Sequence, residues 1–176
     1  MNLYFKFAYL IMKRLFFKKK LAFQDTCVSH FRVGLLDLDL NFHMNNGRFF
    51  SVMDLGRFDW LMRAGHFYKL LKAGYYPLVL SESMVFQKSL GYLQAYELHT
   101  QMEGWDKKFF YIKQNFVKNG KTLASASVRG CFKKRGVKGV VPTQEVFDFL
   151  EETAPHRPAT SLMEKHQEMD QSLFPR

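Results

Sequence analysis

The sequence predicts an α+β fold in which an antiparallel sheet wraps around one long central helix. Three observations carry that expectation. A segment from Asn46 to about Ala64 is apolar nearly all round, which marks a largely buried helix. Four β-like runs follow it in succession, and the last two are joined by Asn119-Gly120, a strong two-residue hairpin signal. The last run alternates Ala124, Ala126, Val128 and Gly130 on one face, a surface small enough to make room for a helix.

Taken in order, residues 29–40 carry Phe31, Val33 and Leu35 in a strand-like pattern. Asn45-Asn46 opens the helix, with Asn45 suited to the N-cap. On a 3.6-residue wheel Phe49, Val52, Met53, Gly56, Trp60 and Ala64 share one face. Gly56 is unfavourable inside a helix by about 1 kcal/mol against Ala, so a close approach by another backbone is expected there. The stretch "AGYYP", residues 73–77, reads as a loop. Strands are expected over 78–89, 92–103, 108–118 and 121–134. A short helix follows over 143–152, after Pro142 and with Thr143 as its cap.

The chain has 176 residues, enough for one domain with a proper core. We divide it into an N-terminal basic apolar segment (1–24), a folded domain (25–153) and a C-terminal tail (154–176), whose prolines, charges and low hydrophobicity suggest mobility. Twenty-six basic residues against 16 acidic ones give a net charge of +10, which favours anionic partners. Much of that charge lies near the N-terminus, and no helix-turn-helix or RNA-type aromatic sheet motif accompanies it, so nucleic acid is not an expected partner. The first twenty residues contain no acid, and their longest apolar run is far short of the roughly 20 residues that span a bilayer. They suit either an interfacial helix with lysines on anionic lipid or a helix docked on the protein itself. Cys27 and Cys131, the two cysteines, have no metal-type spacing and point to a reducing compartment. The expected location is cytoplasmic, with peripheral membrane contact through residues 1–20 as an option.

No phosphate-cradling Gly-Lys-Ser/Thr loop, serine nucleophile elbow, His-Glu-x-x-His helix or dinucleotide glycine fingerprint is present. One motif does carry chemistry. The stretch "DLDLNFHMNNGRFFSVMDLGRFDWL" resembles the opening motif of hotdog-fold thioesterases of the 4-hydroxybenzoyl-CoA type, and within them the thioesterase superfamily member 6-like subgroup. The matching residues are Asp39, His43, Asn45, Asn46, Phe49 or Phe50, and Asp54 with Arg57. The later "GWDKKFFYIKQNFVKNGK" resembles two strands of that fold, and the likeness extends over roughly residues 25–140. Many members have Gly immediately before the His, where this chain has Phe42.

The resemblance implies an acyl-CoA thioesterase, a fatty or aromatic acyl group on coenzyme A being its substrate, with no separate cofactor and no metal. Asp39 is then the nucleophile or general base, and the backbone N–H of Asn46 the oxyanion donor. Helix physics supports the second assignment independently, because the first amides of a helix lack internal partners and its dipole favours negative charge there. His43 is a candidate for orienting Asp39 or for titrating, and Asp54 is a reserve catalytic carboxylate, with Glu82 a weaker one. Phe42, Phe49 and Asn45 are candidates for lining the substrate site, and Arg129 and Lys133 for meeting the phosphates of coenzyme A. Asp37 is read as a supporting or solvated charge. Subunit pairing into a homodimer or homotetramer follows from the resemblance. The competing expectation is a non-catalytic acyl- or lipid-binding protein at a membrane surface, suggested by the greasy loop residues Leu40 and Phe42.

Overall fold

A computed structural model describes residues 21–152, together with 7, 8, 10–12, 164–166, 168, 169 and 172. Five strands form one antiparallel sheet: β1 (Cys27–Arg32), β2 (Tyr75–Phe86), β3 (Ala95–Trp105), β4 (Phe109–Lys118) and β5 (Lys121–Lys134). Their spatial order is β1-β3-β4-β5-β2, so β1 and β2 are the edges. The long helix α1 (Asn46–Arg63) lies against one face, followed by two short helices, α2 (His66–Lys72) and α3 (Thr143–Phe149). This is the sheet around one long helix that the element order predicts, and the hotdog arrangement that the resemblance implies.

The hairpin between β4 and β5 turns on Asn119 and Gly120, both at positive φ (50° and 72°), the backbone that Asn-Gly favours. Helix α1 buries Phe49, Val52, Met53, Gly56 and Trp60, as the wheel predicts. Gly56 is tight, although against side chains rather than a backbone. A Cβ there would overlap Leu98 and lie 2.9 Å from Thr100 Oγ1. Beneath the helix the fully buried Gln114 donates to Met53 O (3.1 Å) and Thr100 Oγ1 (2.9 Å) and accepts from Arg57 Nη1 (2.8 Å). A buried amide with its groups so satisfied fixes the helix on the sheet in one position.

Several expectations are corrected. The first strand ends at Arg32, and Leu35–Asp37 is a 3-10 turn. Asp37 causes this: its carboxylate accepts from Gly34 N–H at 2.9 Å, closing the turn. It is 2% exposed rather than solvated, so its role is supporting. Tyr75 to Pro77 are already β2 rather than a loop, and α2 has no counterpart in the sequence reading. Thr143 is the first residue of α3 and fully buried, while Pro142 stands at the cap.

Gly56 brings α1 against Leu98 and Thr100 of β3 and Gln114 of β4, and the ring of Phe110 sits over Gly130 of β5. Ala124, Ala126 and Val128 of β5 are buried in the same core as Phe49 and Met53 of the helix, as their small face predicts.

Most of residues 1–20 lies outside the described residues. Of those described, Leu10 is buried and the Phe7 ring meets Phe58 of α1 at 5.0 Å. Most of the C-terminal tail also lies outside them, but residues 164–166 are helical and His166 is 3% exposed. Its ring nitrogens meet Ser127 Oγ and, at 3.2 Å, Ser81 Oγ. Among the described residues no helix is long and apolar enough to cross a membrane.

Candidate active site

The loop before α1 is a tight reversal. Asp39 N–H donates to His43 O at 2.8 Å, Phe42 N–H donates to Asp39 O at 3.1 Å, and Leu38 and Met44 bridge at its base. This is a three-residue connection that ends in a left-handed residue, a position that glycine normally takes. Here that residue is Phe42, at φ 58°. The motif's usual glycine before the histidine thus has a conformational reason, and this chain tolerates the strain with the ring 75% exposed.

Asp39 Oδ1 holds the reversal together, accepting from Asn41 N–H (2.8 Å) and His43 N–H (3.2 Å). Among the described residues no hydrogen bond engages Oδ2. One carboxylate oxygen therefore fixes the loop and the other is open for chemistry. At the start of α1, Asn45 caps by accepting from Gly47 N–H at 2.9 Å, and Arg48 N–H donates to Asn45 O at 2.8 Å. Asn46 N–H donates to none of the described groups. The cap thus uses the neighbouring amides and leaves the Asn46 amide at the positive end of the helix.

These groups line one pocket of about 290 Å³, shared by Asp39, His43, Asn46, Phe49, Phe86 and Lys88. The Phe49 and Phe86 rings meet edge to face at 5.1 Å and form its floor. Four of the candidates, Asp39, His43, Asn46 and Phe49, are therefore brought together. Asn45 and Phe42 flank them as the cap and the strained loop residue. The sequence reading missed Lys88 and Phe86. The signal for them is topological: the end of β2 returns to the helix start, which a motif confined to residues 39–57 does not show.

The remaining candidates lie elsewhere. Asp54 and Glu82 both contact Arg57, the second at 2.7 Å, about three turns along α1 from Asn46. Burial pushes the Glu82 carboxyl up from its ordinary range, against the pull of Arg57. Asp54 and Arg57 line a second, apolar cavity of about 100 Å³, with Phe58, Leu61, Pro77 and Val79. Arg129 and Lys133 fall on the face of β5 turned away from α1, where Arg129 stacks on the Phe109 ring at 4.8 Å. They do not reach the pocket that holds Asp39.

A five-stranded antiparallel sheet wrapped on one long helix is the architecture of the hotdog class of proteins. The chain belongs to the Thioesterase-like superfamily, whose sequence profile matches residues 33–154. Protein THEM6 of Danio rerio is 34% identical over 99 residues, covering 56% of this chain and 49% of that protein. The chain thus spans about half the length of the curated relatives it matches. Among solved structures, the gentisyl-coenzyme A thioesterase BH1999 superposes with a TM-score of 0.61 at 19% identity, over 70% of this chain and 98% of that one. SAV2348 of Staphylococcus aureus, solved in complex with CoA, superposes with a TM-score of 0.65 at 13% identity, over 78% and 89%. At these identities the superpositions establish the fold.

Proposed function

We propose that this protein is an acyl-CoA thioesterase that works through Asp39 and the Asn46 amide. The observation that carries the reading is their shared pocket: a carboxylate with one oxygen uncommitted, and a helix-end N–H with no partner among the described residues. The thioester carbonyl oxygen accepts from Asn46 N–H, so charge developing on it meets the positive end of α1. Asp39 Oδ2 either removes a proton from the attacking water or attacks the carbonyl carbon itself. The C–S bond then breaks, and coenzyme A leaves as a thiolate that takes up a proton. On the second route water then hydrolyses the mixed anhydride left on Asp39, which releases the acid and restores the carboxylate. Lys88, at the rim of the same pocket, offers a charge to the phosphates of coenzyme A. The CoA-bound and CoA-thioesterase relatives are consistent with that substrate class.

The test is hydrolysis of a panel of acyl-CoA esters by wild type and Asp39→Asn. The substitution keeps an oxygen to accept from Asn41 and His43, so the loop survives and kcat is expected to fall about a hundredfold or more. Equal turnover by the two proteins removes Asp39 from the mechanism.

The working unit in this reading is a dimer paired along β2. That strand is a twelve-residue sheet edge with Tyr76, Leu78, Leu80 and Val85 exposed, and an apolar edge of that length invites a partner strand. Sedimentation equilibrium is expected to give at least a dimer, and a monomer at working concentration rejects the pairing. A second reading, acyl binding at a membrane surface without turnover, draws on Leu40 and Phe42, which stand 97% and 75% exposed. Tight acyl-CoA binding by a protein that hydrolyses no ester would favour it.

A further inference from the structure

The polar pocket and the apolar cavity are two compartments along the strip between α1 and β2, with no lining residue in common. The face of β2 toward α1 carries Phe86, Met84 and Glu82, opposite Ala124, Ala126 and Val128 of β5. A bulge at Leu80 then inserts one residue, after which Val79 and Pro77 lie opposite Gly130 and Phe132. In a regular strand without the bulge the alternation would turn Val79 and Pro77 to the other face. The bulge therefore keeps that face of β2 continuous. Helix α1 runs along it, with Phe49 meeting Phe86 at one end and Phe58 and Leu61 lining the cavity at the other.

Between the two compartments stands the Arg57–Glu82 ion pair, at 2.7 Å. Arg57 is anchored from two further sides, by Asp54 and by the buried Gln114. The side chains of Arg57 and Glu82 are 10% and 20% exposed, so the pair is largely withdrawn from water. At 1.5 Å per residue it lies roughly 16 Å along α1 from Asn46.

We propose that Arg57 and Glu82 form a crossbar that sets the length of acyl chain the site accepts, a statement that rests on the acyl-CoA reading above. With its carbonyl at Asn46, an acyl group extends along the Phe49–Phe86 floor and stops at the ion pair. A longer chain has to part the pair and leave both charges against methylene groups. Burying an unpaired charge costs more than a few extra methylenes return. Behind the crossbar, the cavity of about 100 Å³ is smaller than the roughly 150 Å³ apolar void that takes a benzene ring. It has room for the end of a chain that passes the crossbar. Glu82 is the residue to change, since Asp54 and Gln114 still hold Arg57 without it.

The experiment compares wild type, Glu82→Ala and the double variant Glu82→Ala/Val79→Phe on saturated acyl-CoA esters of increasing length. It is paired with calorimetric binding of the matching non-hydrolysable thioether analogues. Wild type is expected to fall off sharply beyond a limiting length. Glu82→Ala is expected to raise kcat/KM and affinity for the longest chains about tenfold relative to the shortest. The double variant, with the cavity filled, is expected to lose that gain. An unchanged length profile in Glu82→Ala overturns the proposal, as does a gain that survives the filling of the cavity. Absence of turnover in wild type counts against the thioesterase reading alone, because the binding series still measures the length limit.

Discussion

At the Asn46 end of α1 a pocket is lined by Asp39, His43 and Lys88 and built from a short loop held by backbone hydrogen bonds. About three turns further along, a second, apolar cavity is lined by Phe58, Leu61, Val79 and Pro77, beside a tethered ion pair. The first end is local: Asp39, Asn41, Phe42, His43 and Asn45 fix one another within seven positions of chain. The second is assembled from α1, β2 and β4, and depends on a bulge in β2 and on where Gly56 lets the helix sit. On the reading proposed above, the local end places the chemistry and the assembled end limits the substrate.

Each end can be perturbed separately. The largest expected effect is the loss of turnover in Asp39→Asn, with the thermal midpoint close to that of wild type. A variant that loses both equally makes Asp39 a structural residue only. Next comes Asn45→Ala, which removes the cap and is expected to cost about 1 kcal/mol of stability in urea unfolding, together with some turnover as the helix end frays. Full activity at reduced stability would show that the Asn46 amide does not need its cap to be placed. The smallest effect is expected from Phe42→Gly. Left-handed backbone costs a non-glycine residue about 1–2 kcal/mol, and glycine gives back about 0.4–1 kcal/mol through the unfolded chain. A net gain of roughly half a kcal/mol should appear in the same unfolding measurement. Turnover at or above wild type is expected with it. Lower activity would mean that the phenylalanine ring serves the site.

How far the site was legible follows the same division. Asp39, His43 and Asn46 were picked out by resemblance to a motif, and they share a pocket because neighbouring backbone holds them together. Lys88 and Phe86 were not, since they come to the site through strand pairing. Arg129 and Lys133 look like phosphate ligands in a charge count, but the alternation of β5 puts them on the wrong face. The charge of Asp37, read as supporting or solvated, is a buried turn closure, which depends on a bond to Gly34 that no periodicity announces.

By itself the chain determined the long buried helix with its asparagine cap, the hairpin at Asn119-Gly120 and the succession of strands along the sequence. All of these rest on period, cap and turn chemistry acting over a few residues. Only the tertiary structure decided that α1 would rest at Gly56 against Leu98, Thr100 and Gln114. It also decided that Arg57 would reach Glu82. Those outcomes depend on which side chains fit around Gly56, a packing problem solved among residues far apart in the chain.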